Sequence, residues 1–269
     1  MKNIGVIGFG NMGAAFAAGL RKKNKDIHFG VVEKIASRAK LACAKYAAED
    51  FTGKLAALLD FAEITIIAVK PQDAAEVLKE LGPLSAGKKF VAIIAGKPLE
   101  FFASFLKTPY IARLMPSFAA MYRKAAVGVS FPSGTAEAGF SAFRADVLEL
   151  AAAAGAAFEI PDKLMGMMTA LSGSGIAFAF AFINALALGG VKTGLGYDKA
   201  LEVAIQVAEG AAAVLRGTKD SPSNLIAKVC SPAGTTIAGL QALEESAFTA
   251  AVMRAVEDAA IRAEELEGV

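Results

Sequence analysis

Three glycines near the start of the chain constrain the fold more than any other feature. Gly8-Phe9-Gly10-Asn11-Met12-Gly13 follows the apolar run 4–7 and opens the Ala-rich stretch 11–23. Between a strand and a helix, each glycine of such a G-x-G-x-x-G run has a job. The first permits a tight turn, the second lets main chain approach a pyrophosphate, and the third lets helix and strand pack closely. The helix N-terminus offers free N–H groups and its positive dipole end to the phosphates. Without a βαβ context the same run would be only a glycine turn.

That context is present. Strand candidates at 2–7, 27–33, 63–69 and 89–94 alternate with helical patterns at 11–23, 35–47 and 72–81. Such alternation predicts βαβ units and a parallel sheet. Further strands are predicted at 111–115, 127–131 and 157–160, with a helix at 136–154. After Pro161-Asp162 the grammar changes to helix throughout: 163–193, 198–216, a short one after Pro222, and 234–267 with a break near 244–246. The expected architecture is an α/β Rossmann-like parallel-sheet domain over 1–161, followed by an all-α helical domain over 162–269.

Composition excludes several classes of function. With 55% hydrophobic and 20% charged residues, the chain is not disordered. His28 is the only histidine, which leaves no metal-ligand cluster and no Ser-His-Asp or Cys-His centre that does not use it. A net charge of +2 does not suit a nucleic-acid binder. Residues 1–162 carry 20 Lys and Arg against 15 Asp and Glu, and the remainder 8 against 11, so the first part is mildly suited to an anionic ligand. Cys43 and Cys230 are a distant pair that fits a reducing compartment. The start MKNIGVIGFG lacks signal-peptide features, and a cytoplasmic location is expected. Residues 164–191 carry no charge, long enough to cross a bilayer. Ser172-Gly173-Ser174-Gly175 near the middle of that run argues instead for burial in a large core or an intertwined dimer.

Candidate binding residues gather after the strands, because ligands of such sheets bind beyond the strands' carboxyl ends. They are Ile7, Gly8, Phe9, Gly10, Asn11, Met12 and Gly13 at the turn, Ala68, Val69, Lys70 and Pro71 in a second loop, and Ala95 beside Gly96. Glu33, 20 residues after Gly13, stands where an acidic residue accepts from ribose hydroxyls and favours NAD. Lys34 and Arg38 follow at once and suit a 2′-phosphate if Glu33 turns away. The expected cofactor is therefore NADPH or NADH. A second constellation is Ser231-Pro232-Ala233-Gly234-Thr235-Thr236. Ser as N-cap and Pro in the first helical position would aim the N–H groups of 233–236 at one spot, a carboxylate site. A plain helix cap is the other reading.

Taken together these stretches resemble the pyrroline-5-carboxylate reductase family over nearly the whole chain. The cofactor turn, Ala68-Val69-Lys70-Pro71-Gln72, Arg113-Leu114-Met115-Pro116, Leu171–Gly175, the run 190–195 and the signature 229–236 match its motifs in order. The resemblance implies a Rossmann domain followed by a helical dimerisation domain. It implies reduction of Δ1-pyrroline-5-carboxylate to proline by NAD(P)H, and homodimers often assembled as decamers. The substrate carboxylate would sit at Ser231, Ala233, Gly234, Thr235 and Thr236, and Thr236 would hydrogen-bond the ring nitrogen as the catalytic residue. Ala233, Ile176, Ser117, Phe118, Asn184 and Lys228 depart from the family pattern.

Two other functions share parts of this sequence. A β-hydroxyacid dehydrogenase has a similar start but needs a lysine early in the helix after a Gly-x-Gly, and here none follows Gly175 until Lys192. A catalytically weak NAD(P)-binding paralogue, a sensor or a structural dimer, is the other.

Overall fold

A computed structural model describes residues 2–267. An eight-stranded sheet runs in the order β3-β2-β1-β4-β5-β6-β7-β8. The strands are β1 (Asn3–Ile7), β2 (His28–Val32), β3 (Glu49–Asp50), β4 (Ile64–Ile67), β5 (Phe90–Ala92), β6 (Ile111–Met115), β7 (Ala125–Ser130) and β8 (Gly155–Glu159). All pairs are parallel except β6 with β7. The helices of this part are α1 (Asn11–Lys23), α2 (Ala36–Tyr46), α3 (Leu55–Phe61), α4 (Ala74–Leu81), α5 (Leu99–Ala103) and α6 (Phe140–Ala154).

The period-two alternation of the strands builds two cores. Ile4 and Val6 of β1, Ile64 and Ile66 of β4 and Val91 of β5 face one side, with Phe16 and Leu20 of α1 and Phe143 and Val147 of α6. Ile7, Ile67, Phe90 and Ala92 face the other, with Leu58 of α3, Leu78 of α4 and Phe102 of α5. Both faces are therefore covered, as parallel sheets require.

The sequence reading did not anticipate β3, α3 or α5. β3 has two residues, and α3 and α5 are only seven and five long, too short to show a helical period. The expected strand 63–69 ends at Ile67, so Ala68, Val69 and Lys70 form the loop beyond it.

From Asp162 onward the described chain is helical. A 3-10 turn (Asp162–Leu164) leads into α7 (Met165–Met168), a π-helical segment (Thr169–Ser174) and α8 (Gly175–Lys192). This stretch, Asp162–Lys192, is long and apolar enough by length and composition to cross a membrane. Then come α9 (Tyr197–Thr218), α10 (Pro222–Val229), α11 (Thr235–Glu245) and α12 (Phe248–Glu267). The break between α11 and α12 falls at Ala247, in a left-handed conformation with φ 53°.

Two compact units result. One takes in the chain to Ile176 together with the chain from Asp258, and the other is Ala177–Glu257. The change from strands to helix lies at 161–162, but the first unit continues past it. Residues 165–168 pack on the sheet so closely that a Cβ on Gly128 of β7 would lie 2.7 Å from Met168 Cγ. In the second unit only Ala187, Ala200 and Ala204 form a buried cluster. Phe180, Phe182, Leu188, Val203 and Val207 remain exposed on the single chain.

Candidate functional site

The sheet order brings the ends of β2, β1, β4, β5 and β6 side by side. Because these strands are parallel, the residues following them share one edge. The glycine turn, Glu33, the loop at Ala68–Val69–Lys70–Pro71 and the Ala95–Gly96 turn are thus gathered in the first compact unit. Sequence order reverses between β1 and β4, the position where such sheets take a ligand.

The three glycines have different surroundings, close contacts at Gly8 and Gly13 and open space at Gly10. Gly8 has φ +88°, and a Cβ there would lie 2.8 Å from the Ala68 carbonyl oxygen. A Cβ on Gly13 would lie 2.5 Å from the Gly8 oxygen, so the start of α1 rides against the turn. Around Gly10 the space is open, and the only atom a Cβ would meet within 4 Å is Arg38 Nη1 at 3.8 Å. A cation therefore stands over the open side of the turn. Gly10 is the N-cap of α1, which has no side-chain cap and no acidic residue in its first turn. Unfilled space, uncapped N–H groups and a nearby guanidinium fit a dinucleotide pyrophosphate.

Glu33 is placed differently from the expectation that it would face ribose. It is 5% exposed, with Oε2 accepting from the Phe9 N–H at 2.6 Å and Oε1 from the Ile35 N–H at 2.9 Å. Both oxygens are committed to main chain, because a buried carboxylate must be hydrogen-bonded. The Gly8 N–H donates to the Val32 carbonyl at 2.9 Å, so β2 grips the turn at two successive residues. Phe9 is buried, its ring edge-on to Tyr46 at 5.5 Å. Lys34 pairs with Asp73 at 2.9 Å, linking the end of β2 to the loop after β4. Ile7 is buried behind the turn, while Asn11, Lys70, Pro71 and Ala95 are exposed and Met12, Ala68 and Val69 half-buried.

The signature stretch lies in the second unit, and its local geometry corrects the expected cap. Ser231 is not the N-cap and Pro232 is not in the helix. Ser231–Gly234 closes a turn in which the Gly234 N–H donates to the Ser231 carbonyl at 3.0 Å, and α11 begins at Thr235 with Gly234 as N-cap. The amides free for a carboxylate are then those of Thr235, Thr236 and Ile237, with the two threonine hydroxyls beside them. Ala233 has φ 55°, the left-handed region that glycine occupies without cost, where the family pattern has glycine. A Cβ on Gly234 would lie 2.1 Å from Ser231 Oγ.

Other departures find local partners. Lys228 pairs with Asp220 at 2.5 Å, and Lys228 followed by Asn224 holds the Asp220 carboxyl below the usual range. Asn184 Oδ1 accepts the Tyr197 hydroxyl at 3.0 Å. Among the described residues a Cβ on Gly173 would come no closer than 3.6 Å to Thr169 Cγ2, and one on Gly175 no closer than 3.8 Å to the Ala170 oxygen, so crowding within the chain does not explain these glycines. Sequence reasoning passed over Asp162 and Glu267. The signal was Arg113, a charge inside the otherwise apolar strand IARLM, for which burial demands anionic partners.

Ala233 yields a prediction. A left-handed alanine costs about 1–2 kcal/mol, partly offset by the flexibility glycine adds to the unfolded chain. Ala233→Gly therefore raises stability by about 0.5–1 kcal/mol, read from the denaturant midpoint. A lower midpoint contradicts the backbone assignment.

Comparison with known proteins gives this arrangement a family. The pyrroline-5-carboxylate reductase dimerisation family matches residues 162–266, and a family described as NADP oxidoreductase, coenzyme F420-dependent, matches 3–96. The pyrroline-5-carboxylate reductase of Aquifex aeolicus is 37% identical over 265 residues, covering 98% of this chain and 97% of that protein. That of Methanosarcina acetivorans is 36% identical over 269 residues, covering 98% of each. The crystal structure of 1-pyrroline-5-carboxylate reductase from Streptococcus pyogenes superposes with a TM-score of 0.85 at 31% identity, covering 98% of both chains. End-to-end identity above a third, on a shared fold that carries the glycine turn, shows that this chain belongs to the pyrroline-5-carboxylate reductase family.

Proposed function

We propose that the chain reduces Δ1-pyrroline-5-carboxylate to L-proline, with NADPH or NADH as the hydride donor. The observation that carries this reading is the uncapped start of α11, where two threonine hydroxyls stand beside free amides in a chain related end to end to such reductases. The amides of Thr235, Thr236 and Ile237 suit the substrate carboxylate, and the Thr236 hydroxyl suits the ring nitrogen. Ser231 and Gly234 shape the turn, and Ala233 carries its left-handed residue. A protonated cyclic imine is already electrophilic, so the protein's task is to place it and exclude competing water more than to supply a strong acid. The absence of a second histidine does not matter to such chemistry, and His28 lies exposed at the amino end of β2, opposite the ligand edge. Bound at the glycine turn, the nicotinamide cofactor would supply the hydride.

Lys34 follows β2 and Arg38 lies in the first turn of α2, while Glu33 is turned inward, which favours NADPH. The working form is a homodimer, either alone or as the building unit of a decamer. The exposed apolar side chains of Ala177–Glu257 and the open faces of Gly173 and Gly175 support a second copy as the covering surface. The dimerisation family that spans residues 162–266 favours protein over lipid as the neighbour of residues 164–191. Cys43 and Cys230, both unpaired, suit a cytoplasmic location.

Two measurements test this reading. Light scattering at micromolar concentration gives a dimer mass or a multiple of it, and a folded 27.7 kDa monomer contradicts the dimer. Thr236→Val keeps the side chain's size and removes the hydroxyl. Losing a hydrogen bond to a charged partner, about 1.5–3 kcal/mol, lowers kcat/KM on pyrroline-5-carboxylate roughly 10- to 150-fold. Cofactor affinity stays unchanged, since the dinucleotide turn belongs to the other compact unit. Full activity in Thr236→Val, or a loss explained by cofactor release, removes Thr236 from the chemistry.

A further inference from the structure

The chemistry described so far leaves one buried charge unused. Arg113 of β6 is fully buried, in register with Ala92 of β5 and Ser130 of β7. Its Nη1 donates to Asp162 Oδ1 at 3.3 Å and its Nη2 to Glu267 Oε1 at 2.5 Å, while Nε has no acceptor among the described residues. Asp162 is further engaged. Its Oδ1 accepts the Ser130 hydroxyl at 2.7 Å, and its Oδ2 accepts the Leu99 N–H at 2.7 Å. Apolar residues in such a place often give equal or greater stability than ion pairs. What these pairs secure is therefore geometry.

The geometry concerns the turn after β5. Gly96 has φ +70°, and a Cβ there would lie 3.0 Å from the Leu266 carbonyl oxygen and 3.1 Å from Leu266 Cβ. The neighbouring residue of α12, Glu267, is the one bound to Arg113. At the other end of the turn, the Leu99 N–H is held by Asp162, which is bound to the same guanidinium. The turn is thus gripped at Gly96 by the last turn of α12 and at Leu99 by Asp162, and both grips meet at Arg113. Ala95, immediately before Gly96, is exposed beyond the carboxyl end of β5.

We propose that the Arg113–Glu267 ion pair is a strap that fixes the end of α12 on the sheet, so that Leu266 holds the Ala95–Gly96 turn in the shape that receives the nicotinamide ring. Glu267 is then a positioning residue for hydride transfer. The proposal rests on reading Ala95–Gly96 as the nicotinamide side of the dinucleotide site.

The test uses the full chain and two ligands, NADPH and 2′-phospho-ADP-ribose, which is the same cofactor without its nicotinamide. In Glu267→Ala the dissociation constant for NADPH rises about tenfold while that for the fragment stays within about twofold. The kcat with saturating cofactor falls about tenfold or more, because the ring is misplaced. Glu267→Gln keeps the oxygen that Arg113 binds and restores both values to within about threefold of wild type. If Glu267→Ala does not fold, Glu267→Asp, which keeps the charge but shortens its reach toward Arg113 by one methylene, is read in the same way. Equal weakening of both ligands, or a lower melting temperature with neither binding nor kcat changed, overturns the strap. So does a wild type that binds NADPH no more tightly than the fragment, because Ala95–Gly96 then does not receive the ring. A wild type that prefers NADPH to the fragment but reduces no cyclic imine overturns the reductase reading and leaves the strap readable by binding.

Discussion

A parallel sheet covered by helices on both faces leaves only the ends of its strands open to a ligand, and the rest of this molecule is arranged around that constraint. The glycine turn after β1 lies beside the loops after β2, β4 and β5 because the strand order reverses there. A turn of this kind has little to hold it. Gly8 and Gly10 contribute no side chain, and their main chain must stay open to solvent if phosphate is to approach. The buried carboxylate of Glu33 compensates, accepting the Phe9 N–H across the turn and the Ile35 N–H ahead of α2. A carboxylate charge so placed strengthens both hydrogen bonds relative to a neutral acceptor. It also turns Glu33 away from the ribose, leaving Arg38, Lys70 and the Lys34–Asp73 pair as charged groups near that edge.

The second half meets a different constraint. Ala177–Glu257 contains long helices but buries few side chains within one chain. Helices so apolar find their neighbours elsewhere, and a dimerisation family spans this region. The signature turn before α11 adds a local constraint. It has one residue in the left-handed region and another whose Cβ would strike the Ser231 hydroxyl. This chain meets the second with Gly234 and tolerates alanine in the first.

Much of this was legible before any coordinates. Strict alternation of apolar strands and amphipathic helices made the sheet readable, and the uniform helical period after Pro161 marked the change in architecture. β3 and α5 were not legible, because two and five residues carry no period. The glycine turn was readable because Gly8 and Gly13 answer steric demands of the chain itself, while the space at Gly10 is left open. The direction of the Glu33 side chain was not, because spacing alone does not say whether a carboxylate faces ribose or main chain. The expected cap at Ser231 failed for a related reason. Ser-Pro is a good helix start, but here it opens a turn that delays the helix to Thr235. Arg113 was visible as a charge in an apolar strand, while its partners, 49 and 154 residues away, were not.

The central claim is that Glu33 holds the phosphate-binding turn and does not read the ribose. Binding of NADPH and NADH to wild type and Glu33→Gln by calorimetry tests it directly. Gln keeps one acceptor but loses the charge and one of the two hydrogen bonds, worth about 1.5–3 kcal/mol when charge-assisted. Both dissociation constants then rise by about tenfold, and their ratio stays within about threefold of wild type. A shift of tenfold or more toward NADPH, with NADH alone weakened, contradicts the account and returns Glu33 to the ribose.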